Sequence, residues 1–204
     1  MDNSALFKIG YGLYVLTAKD AGKDSGCIIN TVLQVTSVPP FVGLITVNKQ
    51  NYTHELIMNS RQFNISILTT DAPFEIFKHF GFQSGRDVDK FSGYDGASRS
   101  ENGLLYLNKH TNAYLSFNVK DTIDFGTHTL FSADIIEGVV LNDIDSVTYT
   151  YYQRHIKPRP EAAGSAQKKG WRCKICSYVY EGDPMPTDFI CPICKHGVSD
   201  FERV

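Results

Sequence analysis

The strongest constraint on this chain lies near its end. Cys173-Lys174-Ile175-Cys176 and Cys191-Pro192-Ile193-Cys194 form two Cys-x-x-Cys hooks with fourteen residues between them. Four thiolates drawn together by two tight turns make a tetrahedral sulfur site, which suits zinc or iron. Two hooks at this spacing specify a metal far more strongly than one. The competing arrangement is two disulfides, which requires an oxidising compartment that nothing else in the sequence suggests. A segment as short as 170–204 buries too little apolar surface to fold alone and needs a metal to hold it. Trp171, Tyr178, Tyr180, Phe189 and Phe201 crowd the hooks, a supply of rings that shields a metal from water. The fifth cysteine, Cys27, sits alone in a β-like run and reads as a small buried hydrophobe.

Composition bounds what the other residues do. The chain has 204 residues, 42% hydrophobic and 21% charged, with a formal net charge of −2. That is an ordinary globular balance, long enough for one full domain and a small appendage. No block of like charges argues for nucleic acid or a membrane surface. The longest apolar runs, such as Phe41 to Val47, are strand-sized rather than membrane-sized. Met1-Asp2-Asn3-Ser4 lacks the basic and apolar regions of a signal peptide, so a cytoplasmic protein is expected.

Residues 1–157 read as one mainly β domain with short helices, an α+β pattern. Strands are expected from Leu13 to Ala18, Cys27 to Thr36, Phe41 to Val47, Phe63 to Leu68, Ala113 to Val119 and Thr129 to Leu141, on β-branched and aromatic enrichment. The third of these is apolar enough to be buried on both faces. Asp20 to Gly26 reads as a turn. Thr53 to Arg61 and Ala72 to Phe80 have helical spacing, with Thr53 expected to cap the first helix. Gly81 to Gly103 lacks periodicity, and a loop of that length inside a domain is usually functional. Residues 158–169 form a small, polar, Pro-bearing linker, and 170–204 the metal domain. There is no Gly-x-Gly-x-x-Gly, no Gly-Lys-Ser/Thr phosphate loop and no βα alternation, which argues against Rossmann and flavodoxin-like folds. The residues alone reach a β-barrel with two or three helices.

Resemblance goes further. Trp171-Arg-Cys-Lys-Ile-Cys-Ser-Tyr-Val-Tyr-Glu-Gly-Asp-Pro, Phe189-Ile-Cys-Pro-Ile-Cys and Asp200-Phe201-Glu202 resemble rubredoxin, with the shortened inter-hook loop of the rubredoxin domain of rubrerythrins. Ser177 and Lys195 stand where that family often has glycine. The resemblance implies one redox-active iron held by Cys173, Cys176, Cys191 and Cys194, in place of a structural zinc.

Residues 5 to 158 resemble the flavin reductase family of FMN-binding split barrels. The motifs are Gly10-x-Gly12-Leu-Tyr-Val-Leu-Thr17, Asn30-Thr31, Val35-Thr-Ser-Val-Pro-Pro40 and Val47-Asn-Lys-Gln-Asn-Tyr-Thr53. Further along come Phe82-Gln-Ser84-Gly85-Arg86-Asp-Val-Asp89-Lys90-Phe91, Gly126-Thr-His128 and Tyr151-Tyr152 with Lys157-Pro158. The resemblance implies a homodimer with one FMN per protomer near the subunit interface. Asn30, Thr31 and Val32 are then expected beside the isoalloxazine. Thr46, Val47, Asn48, Lys49, Asn51 and Thr53 are expected along the ribityl chain and phosphate. Thr53 at a helix start suits anion binding by amide groups. Ser84, Arg86 and Tyr152 are further candidate contacts, and His128 is the candidate catalytic residue near flavin and nicotinamide. The simpler roles are a turn residue for Asn51, a helix cap for Thr53, surface charges for Lys49 and Arg86, a core histidine for His128 and packing for Tyr152.

The two halves together resemble the high-molecular-weight rubredoxins of anaerobes. NAD(P)H gives up a hydride, whereas a four-cysteine iron takes one electron, and a flavin converts one into the other. The resemblance therefore implies electron flow from NAD(P)H through FMN to iron and on to a partner such as a flavodiiron protein. Three other readings remain: a reductase supplying free reduced flavin to a monooxygenase with a structural zinc tail, a flavoredoxin-like carrier reduced by another protein, and a non-catalytic binding module in which both sites are structural.

Overall fold

The structure, a computed structural model, describes residues 5, 8–158, 170–174, 178–191 and 197–204. The expected linker lies almost wholly outside the described residues, as do Cys176 and Cys194. The chain divides into two compact units, Met1–Lys157 and Pro158–Val204.

The first unit is built on β1 (Tyr14–Asp20), β2 (Lys23–Ile29), β3 (Val32–Gln34), β4 (Val42–Asn48), β5 (Gln62–Leu68), β6 (Ala97–Arg99), β7 (Leu105–Leu107), β8 (Thr111–Asp124) and β9 (His128–Val140). Helix α1 (Tyr52–Ser60) joins β4 to β5, and α2 (Phe74–Gly81) follows β5. Seven strands form one antiparallel sheet in the order β2-β1-β5-β8-β9-β4-β3. Its two edges, β2 and β3, are consecutive in the chain and separated only by Asn30 and Thr31. Laid flat, seven strands put their edges about 29 Å apart. The chain from Ile29 to Val32 spans at most about 11 Å. The sheet therefore rolls up until its edges meet, and Asn30-Thr31 crosses the split. Register shifts between Ser116 and Phe117, and between Val119 and Asp121, help the fourteen-residue β8 bend around the roll.

Two apolar clusters pack on opposite faces of the sheet. Leu16, Ile45, Val47, Ile65, Phe117 and Phe131 fill the inside together with Leu56 and Ile57 of α1. Val15, Leu68, Phe77, Phe80, Leu107 and Tyr152 form the outer cluster under α2. Val15 and Leu16 fall in different clusters because successive strand residues face opposite ways, which explains why the middle of β1, Val15 to Ala18, is buried on both faces. Phe63 and Phe117 stack at 4.6 Å in the inner cluster, and burying each such ring is worth about 1.5–3 kcal/mol.

Several expectations from the sequence are corrected. The turn expected over Asp20 to Gly26 is only Ala21-Gly22, with both φ angles positive (46° and 83°). This is the two-residue hairpin geometry that matches strand twist, and it places Lys23 to Gly26 in β2. The run from Cys27 to Thr36 is two strands on opposite edges. β4 alternates between fully and partly buried residues instead of burying both faces. The α1 cap is Asn51, not Thr53. The long loop contains β6, paired with β7, and a buried network ties the β6–β7 turn down. Asn64 Nδ2 donates to Ser100 Oγ at 2.7 Å, and Asn102 Nδ2 donates to Asn64 Oδ1 at 2.9 Å.

The second unit holds β10 (Trp171–Cys173), β11 (Val179–Tyr180) and β12 (Phe201–Arg203), antiparallel in the order β11-β10-β12. Among the described residues of the chain, no helix is long and apolar enough to cross a membrane.

Candidate functional site

The start of α1 collects most of the predicted phosphate contacts. Asn51 occupies the cap position in extended geometry, but its side chain makes no capping hydrogen bond. The first-turn amides of a helix carry partial positive charge and need acceptors. Thr53, 1% exposed, points inward and pairs with Ser25 of β2, Oγ1 to Oγ 3.1 Å. Two hydroxyls have two hydrogens, and their mutual bond uses one. The other is available to the Cys27 sulfur beside Thr53 or to a ligand oxygen. Burial pushes the Cys27 thiol up to about 11, against the opposing influence of Lys90 and the Thr53 hydroxyl, so it is neutral near pH 7.

Cations surround this helix start. Lys23 Nζ lies 4.5 Å from the centre of the Tyr52 ring and the Arg86 guanidinium 5.1 Å from it. Arg86 also pairs with Glu55 at 2.7 Å, and Lys49 with Asp124 at 2.5 Å. Both pairs are largely exposed and contribute little to stability, so a phosphate can compete for either cation. Ser84 Oγ accepts the Arg86 amide at 3.1 Å. Gly85 fits only because it lacks a side chain, since a Cβ there would stand 2.4 Å from Ser25 Oγ. Uncapped amides, a spare hydroxyl hydrogen and three cations form a donor set that fits a phosphate monoester such as that of FMN.

The remaining flavin candidates line the split and the strand that leads to α1. Asn30 is exposed at the split, and Thr31 Oγ1 donates to its Oδ1 at 3.2 Å. Val32 pairs with Ile45 across β3 and β4. On β4, Thr46, Val47 and Asn48 oppose Leu130, Thr129 and His128 of β9. Val47 is buried in the inner cluster, so only its backbone can meet a ligand. Asn48 Oδ1 accepts the Gln50 amide at 2.9 Å and shapes the turn into α1. His128 is half-buried, and its Nδ1 is 2.9 Å from Thr127 Oγ1. Tyr152 is buried in the outer cluster, with its ring 4.5 Å from that of Phe77, which gives it a packing role.

Sequence reasoning missed Lys23, Ser25, Tyr52, His54 and Glu55. Ser25 and Lys23 were hidden by the misplaced turn, and Glu55 carried no motif. His54 directly follows Thr53, which was the available signal. Its Nε2 lies 2.8 Å from Thr129 Oγ1 and its ring packs edge-on to Phe131. Burial chiefly, with nearby Lys49, holds its pKa below the usual histidine value, partly offset by Asp124 and Glu55.

In the second unit Cys173 and Cys191 are both 0% exposed. They cluster with Met185 and Phe201, against which Trp171, Tyr178, Tyr180, Phe189 and Val198 pack. The Cys173 amide donates to Tyr178 O at 2.8 Å. Two soft sulfurs enclosed by rings suit a thiolate-bound metal shielded from water.

A rolled antiparallel sheet whose two edge strands meet at Asn30-Thr31, with α1 packed in its interior, is a split barrel. The FMN-binding protein of Thermus thermophilus has this fold: its structure matches with a TM-score of 0.59 at 18% identity, covering 66% of this chain and 72% of that one. The flavin reductase like domain matches residues 6–159, and the rubrerythrin, rubredoxin-like domain matches residues 171–202. The chain belongs to the flavin reductase-like family and carries a C-terminal rubredoxin-like domain. It is 38% identical over 231 aligned residues to the high molecular weight rubredoxin of Moorella thermoacetica, covering all of both chains. It is 36% identical over 152 residues to the ferric-chelate reductase (NAD(P)H) of Archaeoglobus fulgidus, covering 74% of this chain and 89% of that protein.

Proposed function

We propose that this chain is an NAD(P)H-dependent oxidoreductase that carries electrons from nicotinamide to a mononuclear iron held by Cys173, Cys176, Cys191 and Cys194, and on to a partner protein. The observation that carries the reading is the union of the two domains in one chain, matched along its full length by the Moorella thermoacetica protein. FMN, when bound, supplies the conversion of a hydride into single electrons. Placing both domains on one chain raises the effective concentration of acceptor beside donor.

The residues of the first domain divide the work. The amides of Tyr52 and Thr53, the Thr53 hydroxyl, Lys49, Ser84 and Arg86 bind the phosphate. Backbone and polar groups of Thr46 to Asn48, with Asn51, run along the ribityl chain. Asn30, Thr31 and Val32 border the ring at the split, and His128 orients the nicotinamide. The first domain pairs with a second copy, and the partner that receives the electrons is a one-electron acceptor such as a flavodiiron protein.

The test is a visible spectrum of the purified protein before and after anaerobic NADH. Flavin and ferric-thiolate bands that both bleach support the reading. Zinc in place of iron would make the tail structural, and bands unchanged by NADH would point to another protein as the electron source. Similarity to a ferric-chelate reductase supports a second reading, reduction of soluble ferric chelates by the flavin domain. A ferric-EDTA assay that is unaffected by Cys191→Ser tests it.

A further inference from the structure

We propose that Lys90 is a positioning residue for the phosphate end of the flavin site, holding Ser84, Gly85 and Arg86 over the start of α1. This rests on the phosphate reading above. Lys90 is only 3% exposed, and its Nζ donates to two backbone carbonyls, Gly26 O of β2 at 2.8 Å and Phe80 O of α2 at 2.9 Å. Burying an ammonium is costly unless its hydrogens are satisfied. An apolar side chain of the same length would fill the space without that cost but would hold neither carbonyl.

The main chain is fixed at the same place. His79 Nε2 donates to Lys90 O at 2.6 Å, since a carbonyl can only accept. Asp89 Oδ1 accepts the amides of Phe91 and Ser92 at 2.9 and 3.2 Å. At the other end of the loop, the Phe82 amide donates to Lys78 O at 3.0 Å, closing α2. Between these anchors the chain turns on Ser84, whose carbonyl accepts the amides of Asp87 and Val88 at 3.2 and 3.1 Å.

The loop thus meets β2 at two adjacent residues. Lys90 holds Gly26, and Gly85 rests on Ser25, the partner of Thr53. Arg86, next along, reaches Glu55 and the Tyr52 ring in the first turn of α1. Lys90 is the buried side chain that ties this loop to both β2 and α2, and so it sets the height of Arg86 and Ser84 above the helix amides, although Lys90 itself touches no ligand.

Lys90→Met in the full-length chain tests this. FMN and riboflavin are titrated separately, read by quenching of flavin fluorescence, with thermal melting as the folding control. Riboflavin lacks the phosphate, so the ratio of the two dissociation constants isolates that end of the site. The preference for FMN is expected to fall about tenfold, the scale of one charge-assisted hydrogen bond, with riboflavin affinity changing far less. Gly85→Ala pushes the loop off Ser25 while leaving Lys90 in place, and is expected to act in the same direction. It carries the test if Lys90→Met does not fold. An FMN preference that persists in folded Lys90→Met, or in Gly85→Ala where the first variant is unfolded, overturns the inference alone. A wild-type chain that binds FMN and riboflavin equally overturns the phosphate reading and this inference with it.

Discussion

Thr53→Val probes the candidate site with the least collateral change. Valine keeps the volume of threonine, so no cavity opens, but the hydroxyl is lost. Ser25 Oγ then loses its 3.1 Å partner in a fully buried position. Leaving a buried hydroxyl without its bond costs about 1–3 kcal/mol. For a domain of this size that lowers Tm by roughly 2–4 °C per kcal/mol. If the spare hydrogen of the Ser25–Thr53 pair serves a phosphate oxygen, FMN binding also loses a hydrogen bond to a charged group, about 1.5–3 kcal/mol, or roughly ten- to a hundredfold in Kd. Thr53→Ser separates the two effects: it keeps the hydroxyl, removes one methyl at about 1 kcal/mol, and is expected to retain FMN. The assay is ultrafiltration of FMN from the purified protein, alongside thermal melting of the flavin-free chain. A lower Tm in Thr53→Val with FMN retained as in wild type would refute the phosphate role and leave Thr53 as a structural hydroxyl.

The other predictions concern the metal hooks and the two histidines. Cys191→Ser is expected to abolish the ferric-thiolate absorption while NADH still bleaches the flavin; loss of FMN binding in the same variant would show that the domains do not fold independently. His128→Ala is expected to slow flavin reduction by NAD(P)H in stopped flow more than it weakens FMN binding, and an unchanged rate would return His128 to a supporting role in the fold. His54 has a folded pKa below its unfolded value of 6.5. The fold therefore binds fewer protons than the unfolded chain, and the contribution is present above about pH 6.5 and lost as pH falls through the folded pKa. Urea midpoints measured from pH 8 to pH 5 should fall, and His54→Gln should flatten that part of the profile; an equal slope in the variant would remove His54 as its source.

Much of this was legible because it depends on local chemistry. The hooks and the crowd of rings around them are written within 32 residues. The strands expected at Phe63, Ala113 and Thr129 all formed, because β-branched and aromatic residues fit a pleated, half-buried surface, although β8 continues to Asp124 and the short β6 and β7 were not anticipated. The errors came where a short-range signal was ambiguous. Ala21-Gly22 makes a tight turn, yet the Gly and Asp residues after it suggested a longer one. The break at Asn30-Thr31 lies inside a run of good strand formers, and only the pairing of β3 with β4 shows that the chain has changed edges.

The sequence by itself determined the two Cys-x-x-Cys hooks, the position of the long strands near Phe63, Ala113 and Thr129 and the Asn48–Thr53 segment that leads into α1, since each is set by neighbours along the chain. Only the tertiary structure decided which groups meet there. Ser25, Gly85 and Thr53 lie on three separate elements, and the closure of the sheet brings them together. Lys90 is 64 residues from the carbonyl of Gly26 that it holds. Nothing local distinguishes it from a solvated surface lysine; its role exists only because β2, α2 and the loop pack around one buried ammonium.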